Sequence, residues 1–217
     1  MIIWNEIDTV LLDMDGTLLD LHFDNYFWRE YLPQKWGELN QMDTASAKKQ
    51  LVPQFYSMAG TLSWYCLDHW SEHLGMDILA LKADVGHLIR ERPDTIGFLQ
   101  FLAATGKQKA LVTNAHQGLI NMKLERTRLG QHFEHVICAH DLGFPKEDMQ
   151  FWGKLQTVFP FDAARTLLID DNYSVLRSAQ GYGIRHLLTI AQPDSKQPRR
   201  EGGEFPAIES FLEISGK

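Results

Sequence analysis

Short runs of apolar residues alternate along the chain with longer segments in which apolar residues recur at helical spacing. The runs have the length of strands and occupy residues 9–13, 109–113, 136–139, 166–170 and 186–190. The amphipathic segments occupy residues 93–105, 118–129, 147–159 and 172–182. Strands that alternate with helices are joined by crossover connections. The pattern therefore predicts an α/β fold with a parallel sheet between two layers of helices, a three-layer α/β/α arrangement.

One long segment departs from this alternation. Residues 20–92 contain aromatic residues at helical spacing but no convincing strand. We therefore predict a core domain formed by residues 1–19 and 93–217, with a helical domain of residues 20–92 inserted after the first strand. Near the C-terminus, the polar stretch after Gln192 predicts a loop, and residues 208–214 predict a short terminal helix.

Composition and charge narrow the class of protein. The net charge is −7, and the longest basic cluster is the pair Arg199 and Arg200, so a nucleic acid polymer is not an expected partner. No apolar run has the length of a membrane span, and the N-terminal residues do not have the pattern of a signal peptide. Two cysteines predict free thiols in a reducing compartment. We expect a cytoplasmic protein that does not associate with a membrane and has no obligate protein partner.

Polar side chains collect where the predicted strands end. These residues are Asp13, Asp15, Thr113, Asn114, Asp170 and Asp171. The carboxyl ends of parallel strands meet at one edge of a sheet, where ligands bind. Carboxylates brought together there repel one another, so their negative charge requires a cation. Ligand sets made only of oxygen suit Mg²⁺. The sequence therefore predicts a magnesium site, to which Lys146, after the third strand, adds a positive charge.

Each of these motifs is ordinary by itself, because Asp-Gly pairs form turns and paired aspartates cap helices. Their order is more specific. The set DxDGT, then TN, then Lys, then DD, each after a strand, resembles the haloacid dehalogenase (HAD) superfamily of phosphohydrolases. The resemblance implies a Rossmann-like core, with residues 20–92 in the place of that superfamily's inserted helical cap domain (the C1 type).

The resemblance also implies a role for each motif residue. Asp13 is the expected nucleophile, and Asp15 is the expected general acid and base. Thr113, Asn114 and Lys146 are expected to bind the phosphoryl group. The metal ligands implied by the resemblance are Asp13, Asp15 through its backbone carbonyl, Asp170 and Asp171. The expected cofactor is Mg²⁺, and the expected reaction is hydrolysis through an aspartyl-phosphate.

Three stretches resemble purine-nucleotide 5′-phosphatases within this superfamily more closely. They read DTVLLDMDGTLLDLHFDNYFW, LSWYCLDHWSE and GFPKED. This resemblance implies GMP and IMP as substrates, with specificity supplied by the cap. The cap residues that we expect to contact the nucleoside are Asp24, Asn25, Tyr26, Trp64 and Tyr65. Aromatic residues at helical spacing are more often core residues, which is the competing interpretation for the three aromatic ones.

Three other functions stay open at this point. A sugar-phosphate phosphatase would have the same core motifs, so only the cap argues against it. A carbon–halogen hydrolase needs the nucleophile but neither the metal nor the second acid, so Asp15, Asp170 and Asp171 count against it. A binding module that had lost catalysis would usually lack Asp13 or Asp15, and both are present.

Overall fold

A central sheet of parallel strands organises residues 2–215, the part of the chain described by this computed structural model. The strands are β1 (Thr9–Leu12), β2 (Gln108–Thr113), β3 (Val136–Cys138), β4 (Thr166–Ile169), β5 (His186–Ile190) and β6 (Ala207–Ile208). Their order across the sheet is β3-β2-β1-β4-β5-β6, and each neighbouring pair is parallel. The predicted α/β fold with a parallel sheet is confirmed.

The sheet is buried on both faces. Successive side chains of a strand point to opposite faces, and all four side chains of β1 are buried. In the central strand β1, Val10 and Leu12 belong to the same apolar cluster as Leu99. Leu11 belongs to a second cluster, together with Trp152. An uninterrupted apolar run is therefore the expected sequence of this strand.

Residues 2–215 contain eleven α-helices. Those before β2 are α1 (His22–Tyr26), α2 (Leu32–Leu39), α3 (Thr44–Met58), α4 (Leu62–Tyr65), α5 (Leu67–Leu74), α6 (Ile78–Asp84) and α7 (Thr95–Ala104). Those after β2 are α8 (Gln117–Thr127), α9 (Ala139–Leu142), α10 (Met149–Val158) and α11 (Tyr173–Tyr182). None of the helices in this part of the chain is long and apolar enough to cross a membrane.

Helices α1 to α6 lie between β1 and β2, and we call them the inserted helices. A π-helical turn, Phe27–Tyr31, joins α1 to α2, and a 3-10 turn, Gly86–Leu88, follows α6. The buried side chains of Phe27 and Trp70 belong to the same apolar cluster as Leu12 of the sheet. The inserted helices therefore share a continuous core with one layer of the sheet. The domain boundaries at residues 19/20 and 92/93 stay a prediction.

The structure corrects the prediction for the C-terminal segment. Residues 208–214 do not form an α-helix. They contribute to strand β6 and to a 3-10 turn at Phe211–Glu213. The backbone N–H of Ala191 donates to the carbonyl of Ile208, which extends the sheet by one short strand. A backbone group used in a sheet is unavailable to a helix, so the edge of the sheet decides the conformation here.

Candidate active site

Three carboxylates meet at the carboxyl edge of the sheet. Strands β1 and β4 are neighbours, and Leu12 is in register with Ile169, so the residues that follow these two are also neighbours. The backbone N–H of Asp13 donates to the carbonyl of Ile169. As a result, carboxylate oxygens of Asp13, Asp170 and Asp171 lie within 4.8 Å of one another. Both strands end one residue earlier than predicted, which leaves Asp13 and Asp170 just beyond the ladder.

Lys146 supplies positive charge to this cluster, as the sequence predicts. Its Nζ lies 2.5 Å from Oδ1 of Asp13 and 2.7 Å from Oδ2 of Asp170, and it donates to the carbonyl of Val112. The lysine side chain is buried. Burial opposes its charge, but the two carboxylates outweigh burial and raise the pKa of Lys146. Lys146 is therefore a fixed cation at the base of the site.

One lysine does not compensate three buried carboxylates. Burial raises the pKa of Asp13 to about 6, with Lys146 opposing the shift and Asp170 adding to it. Burial also raises the pKa of Asp171 well above its usual range, and the charges of Asp13 and Asp170 raise it further. Oδ2 of Asp13 is buried and has no hydrogen-bond partner within residues 2–215. Surplus negative charge and an unpartnered carboxylate oxygen fit a divalent cation with oxygen ligands.

A glycine and a loop arginine determine the position of Asp171. Gly16 has φ of +89°, and a Cβ built there would lie 2.6 Å from Cγ of Asp171. Only glycine accommodates both the left-handed backbone and this close approach. On the other side, Arg200 donates to the carbonyl of Asp171 with a 2.5 Å bond, and its guanidinium lies 3.4 Å from Oδ2. Arg200 belongs to the polar loop in which sequence reasoning found no site residue.

The loop after β2 surrounds the same edge. Thr113 is buried, and its Oγ1 accepts a hydrogen bond from the backbone N–H of Ala115. Oδ1 of Asn114 accepts from the backbone N–H of Lys146, and its Nδ2 donates to Glu147 at 2.8 Å. The side chain of Asn114 therefore braces the loop, and its backbone N–H is the group that stays a candidate for phosphate binding.

Asp15 points to a different partner from the other acids. Its Oδ1 accepts a 2.6 Å hydrogen bond from Nζ of Lys123, in α8. Burial raises the pKa of Asp15 to about 6, Lys123 opposes the shift, and the charges of Asp24 and Asp13 support it. A carboxyl group with such a pKa exchanges protons near neutral pH, which is the range useful for acid–base catalysis.

A cavity of about 770 Å³ opens above these residues. Its lining includes four of the five predicted nucleoside-contacting residues, namely Asp24, Asn25, Trp64 and Tyr65. Tyr26 is not among the lining residues: its ring packs toward His22 and Tyr31, and its contact with the nucleoside stays a prediction. A pocket of this volume is typical of sites for small molecules.

Asp24 and Asn25, the two polar residues predicted to contact the nucleoside, already have hydrogen-bond partners within the protein. Both carboxylate oxygens of Asp24 accept hydrogen bonds from lysines, Oδ1 from Lys82 and Oδ2 from Lys123. Nδ2 of Asn25 donates to Oδ2 of Asp194 at 2.7 Å. Burial would raise the pKa of Asp24, but the two lysines outweigh it and lower that pKa to about 2.

Sequence reasoning missed four charged residues of this region: Lys82, Lys123, Glu147 and Arg200. A signal for Lys123 was available. It lies between Ile120 and Thr127 at helical spacing, and all three are buried, so a lysine stands on the apolar face of α8. Lys82 follows the same pattern in α6, between the buried residues Ile78 and Val85. Glu147 and Arg200 follow no comparable pattern in the sequence.

A parallel sheet with carboxylates at its carboxyl edge and helices inserted after the first strand defines the HAD class of hydrolases. The sequence model of the family "haloacid dehalogenase-like hydrolase" matches residues 7–183, and the chain belongs to this family. It is 43% identical over 213 residues to the GMP/IMP nucleotidase YrfG of Escherichia coli, covering 98% of this chain and 96% of the relative.

Solved structures share the fold. A HAD phosphatase from Thermococcus onnurineus superposes with a TM-score of 0.78 at 18% identity, over 96% of each chain. An L-2-haloacid dehalogenase from Xanthobacter autotrophicus superposes with a TM-score of 0.66 at 17% identity, over 96% of this chain and 97% of the other. At such identities these similarities describe the fold alone, because one fold supports different chemistries.

Proposed function

We propose that the protein is a Mg²⁺-dependent phosphomonoester hydrolase whose substrates are purine nucleoside 5′-monophosphates, GMP and IMP. The observation that carries the reaction type is Oδ2 of Asp13, a buried carboxylate oxygen without a partner in residues 2–215, in a side chain that lines the cavity. The 43% identity to a GMP/IMP nucleotidase over nearly the whole chain supports the substrate class.

The reaction proceeds in two displacements at phosphorus. A carboxylate oxygen of Asp13 attacks phosphorus, the bond from phosphorus to the 5′ oxygen breaks, and Asp15 donates its proton to the departing nucleoside. A water molecule then attacks the aspartyl-phosphate while Asp15 accepts its proton. The bond from phosphorus to the Asp13 oxygen breaks, which releases inorganic phosphate and restores the carboxylate of Asp13 and the protonated Asp15.

Other residues at the carboxyl edge of the sheet bind the phosphoryl group in this proposal. The hydroxyl of Thr113 and the backbone N–H of Asn114 donate hydrogen bonds to phosphoryl oxygens, and Lys146 balances their charge. Because Lys146 also contacts Asp13 at 2.5 Å, it orients the nucleophile as well. Such donors, fixed before the substrate arrives, stabilise charge that develops in the transition state.

The proposed cation is held by Asp13, Asp170, Asp171 and the backbone carbonyl of Asp15. Oδ1 and Oδ2 of Asp170 accept hydrogen bonds from Asn172 and Lys146, so we expect Asp170 to contribute through water. Asp13 and Asp171 are the expected direct ligands. Bound there, Mg²⁺ would neutralise phosphoryl oxygens that otherwise repel the attacking carboxylate.

The inserted helices are proposed to act as the cap, with the boundaries 20–92 expected from the sequence. The core recognises a phosphoryl group, so discrimination between leaving groups falls to the cavity wall that α1 to α6 provide. Trp28, Trp64 and Tyr65 line that wall. Flat aromatic faces of this kind suit stacking on a purine base.

The proposal is tested by phosphate release from a panel of nucleoside monophosphates and sugar phosphates, measured with Mg²⁺ and with EDTA. Release that requires Mg²⁺ and is highest for GMP and IMP would support the proposal. Metal-dependent release that favours sugar phosphates would support the proposed reaction but contradict the proposed substrate class. Activity that survives EDTA, or the absence of release from every substrate, would contradict the reaction itself.

A further inference from the structure

Two lysines lie fully buried beside the proposed active site and have no part in the four family motifs. The side chains of Lys82 and Lys123 are each 1% exposed. Lysine is almost never buried to this extent unless it is paired. The partners of these lysines therefore indicate what they do.

The two lysines and two aspartates form a linear network. Nζ of Lys82 lies 2.7 Å from Oδ1 of Asp24, and Nζ of Lys123 lies 2.7 Å from Oδ2 of the same carboxylate. Nζ of Lys123 also lies 2.6 Å from Oδ1 of Asp15. Positive and negative charges alternate along the network, so each carboxylate has at least one ammonium partner.

The network crosses between the two parts of the fold. Lys123 belongs to α8, which packs on the sheet, whereas Asp24 and Lys82 belong to the inserted helices α1 and α6. Aromatic rings enclose it: Nζ of Lys82 lies 4.4 Å from the ring centre of Phe27, and Nζ of Lys123 lies 5.1 Å from that of Phe23. The two lysine side chains are each 1% exposed, and the low dielectric around them strengthens their hydrogen bonds to the carboxylates.

We propose that Lys123 is a positioning residue, which orients Asp15 for proton transfer, and that Asp24, held by Lys82, keeps Lys123 in place when the inserted helices are seated on the core. This inference rests on the proposed role of Asp15 as the proton donor. Lys123 binds Oδ1 of Asp15, so Oδ2 is the oxygen that carries the proton to the leaving group. Asp24 then acts through Lys123 rather than on the substrate.

The alternative is that Lys123 only compensates buried charge. Both interpretations expect a loss of stability on substitution, so stability does not distinguish them. The dependence of rate on the leaving group does. A nucleoside leaves as an alkoxide that needs a proton, whereas 4-nitrophenolate leaves without one. A positioning role predicts that damage at Lys123 is selective for the first kind of substrate.

The experiment measures leaving-group release in the first turnover, so that hydrolysis of the aspartyl-phosphate does not contribute. For Lys123→Met we expect the rate with IMP to fall about 100-fold, within the range of general acid catalysis, and the rate with 4-nitrophenyl phosphate to change little. Lys48→Met, which removes a partly exposed lysine paired with Glu30, is the control and should leave both rates unchanged. Equal losses with both substrates would overturn the positioning role.

Two further variants keep the result decisive. In an Asp15→Asn background, Lys123→Met should cause no additional loss with IMP, because the two residues act as one unit; a full multiplicative loss would overturn the proposal. Asp24→Asn keeps the shape of the side chain and should show the same selectivity for IMP even if Lys123→Met does not fold. Unselective behaviour of Asp24→Asn would overturn the coupling through the inserted helices.

Failure of this inference is distinguishable from failure of the proposed function. If Asp15→Asn itself loses equal activity with both leaving groups, then Asp15 is not the proton donor and the proposed mechanism fails with it. If Asp15→Asn is selective and Lys123→Met is not, the mechanism stands and only the positioning role of Lys123 is overturned.

Discussion

The hydroxyl of Tyr65, at the end of α4, donates a 2.6 Å hydrogen bond to Oε1 of Glu147 on the edge of the sheet. Glu147 also accepts from the side chains of Asn114 and Asn172. Burial raises the pKa of Tyr65 well above its usual value, and the charge of Glu147 raises it further, so the hydroxyl stays protonated. One carboxylate therefore connects the inserted helices to the loop that is proposed to bind phosphate.

Tyr65→Phe tests this connection. The ring remains in the cavity wall, but one hydrogen bond to a charged acceptor is lost, which weakens the seating of the inserted helices. We expect KM for the nucleotide to rise about tenfold, equivalent to roughly 1.4 kcal/mol, with a smaller change in kcat.

Tyr31→Phe is the matched control for that variant. Tyr31 donates a 2.8 Å bond to Asp84, so the chemical change is the same. Tyr31 lies in the π-helical turn between α1 and α2, and Asp84 lies in α6, so this bond does not reach the sheet. Its KM should match the wild type. If both tyrosine variants raise KM equally, the effect does not arise from the contact between Tyr65 and Glu147.

Gly16→Ala should damage the proposed metal site. The added methyl group would lie 2.6 Å from Cγ of Asp171, so the carboxylate must move. We expect the Mg²⁺ concentration for half-maximal activity to rise by at least about tenfold, as expected when a ligand is displaced by even a small distance. Metal titration of the activity measures this change.

Gly106→Ala is the control that separates displacement of the Asp171 carboxylate from strain in the glycine backbone. Gly106 also has a left-handed backbone, with φ of +66°, but its added methyl group meets nothing within 4 Å. This variant should lose stability by about 1 kcal/mol without a change in Mg²⁺ dependence. A Mg²⁺ requirement that shifts equally in both glycine variants would mean that the effect does not arise from displacement of Asp171.

Asp13→Asn should abolish turnover and leave the protein folded. The amide is a poor nucleophile, yet its oxygen can still accept the hydrogen bond from Lys146. The substitution also removes one of three clustered buried charges, so the thermal unfolding temperature in EDTA should not fall. Asp8→Asn, at an exposed pair with Arg165, is the control and should retain full activity. Turnover near the wild-type level in Asp13→Asn would exclude Asp13 as the nucleophile.

The pH dependence of stability should report on Asp24. Its two lysine partners lower its pKa from 3.8 to about 2. The unfolded chain therefore binds this proton more readily than the folded protein does, and the stabilisation is present above pH 4 and lost as the pH falls toward 2. At neutral pH the contribution is on the order of 2 kcal/mol.

Unfolding of wild type and Asp24→Asn at pH 7 and pH 3 measures that contribution. We expect the difference in the free energy of unfolding to shrink at pH 3, because the wild type loses stability that the variant never had. A difference that is the same at both pH values would mean that Asp24 is not held as a carboxylate by Lys82 and Lys123.

Much of the site was predictable because the backbone itself organises it. Strand runs such as the one that ends at Leu12 are recognisable from local sequence, and parallel strands must end at a common edge. Asp13 and Asp170 therefore had to be neighbours once β1 and β4 paired. Lys146 was predicted for a related reason, since it follows β3 at the same edge. Membership of the HAD hydrolase family, predicted from these motifs, is confirmed.

The sequence by itself thus determined the parallel sheet and the acids at its edge, because both follow from local apolar patterns and strand direction. Only the tertiary structure decided which other charges join them. Lys123 and Asp15 are separated by 108 positions, and Arg200 comes from a loop without regular structure. Whether a charged side chain is buried depends on everything packed around it. That environment is formed by distant segments, so the apolar spacing around Lys123 indicates that it is buried but does not identify its charged partner.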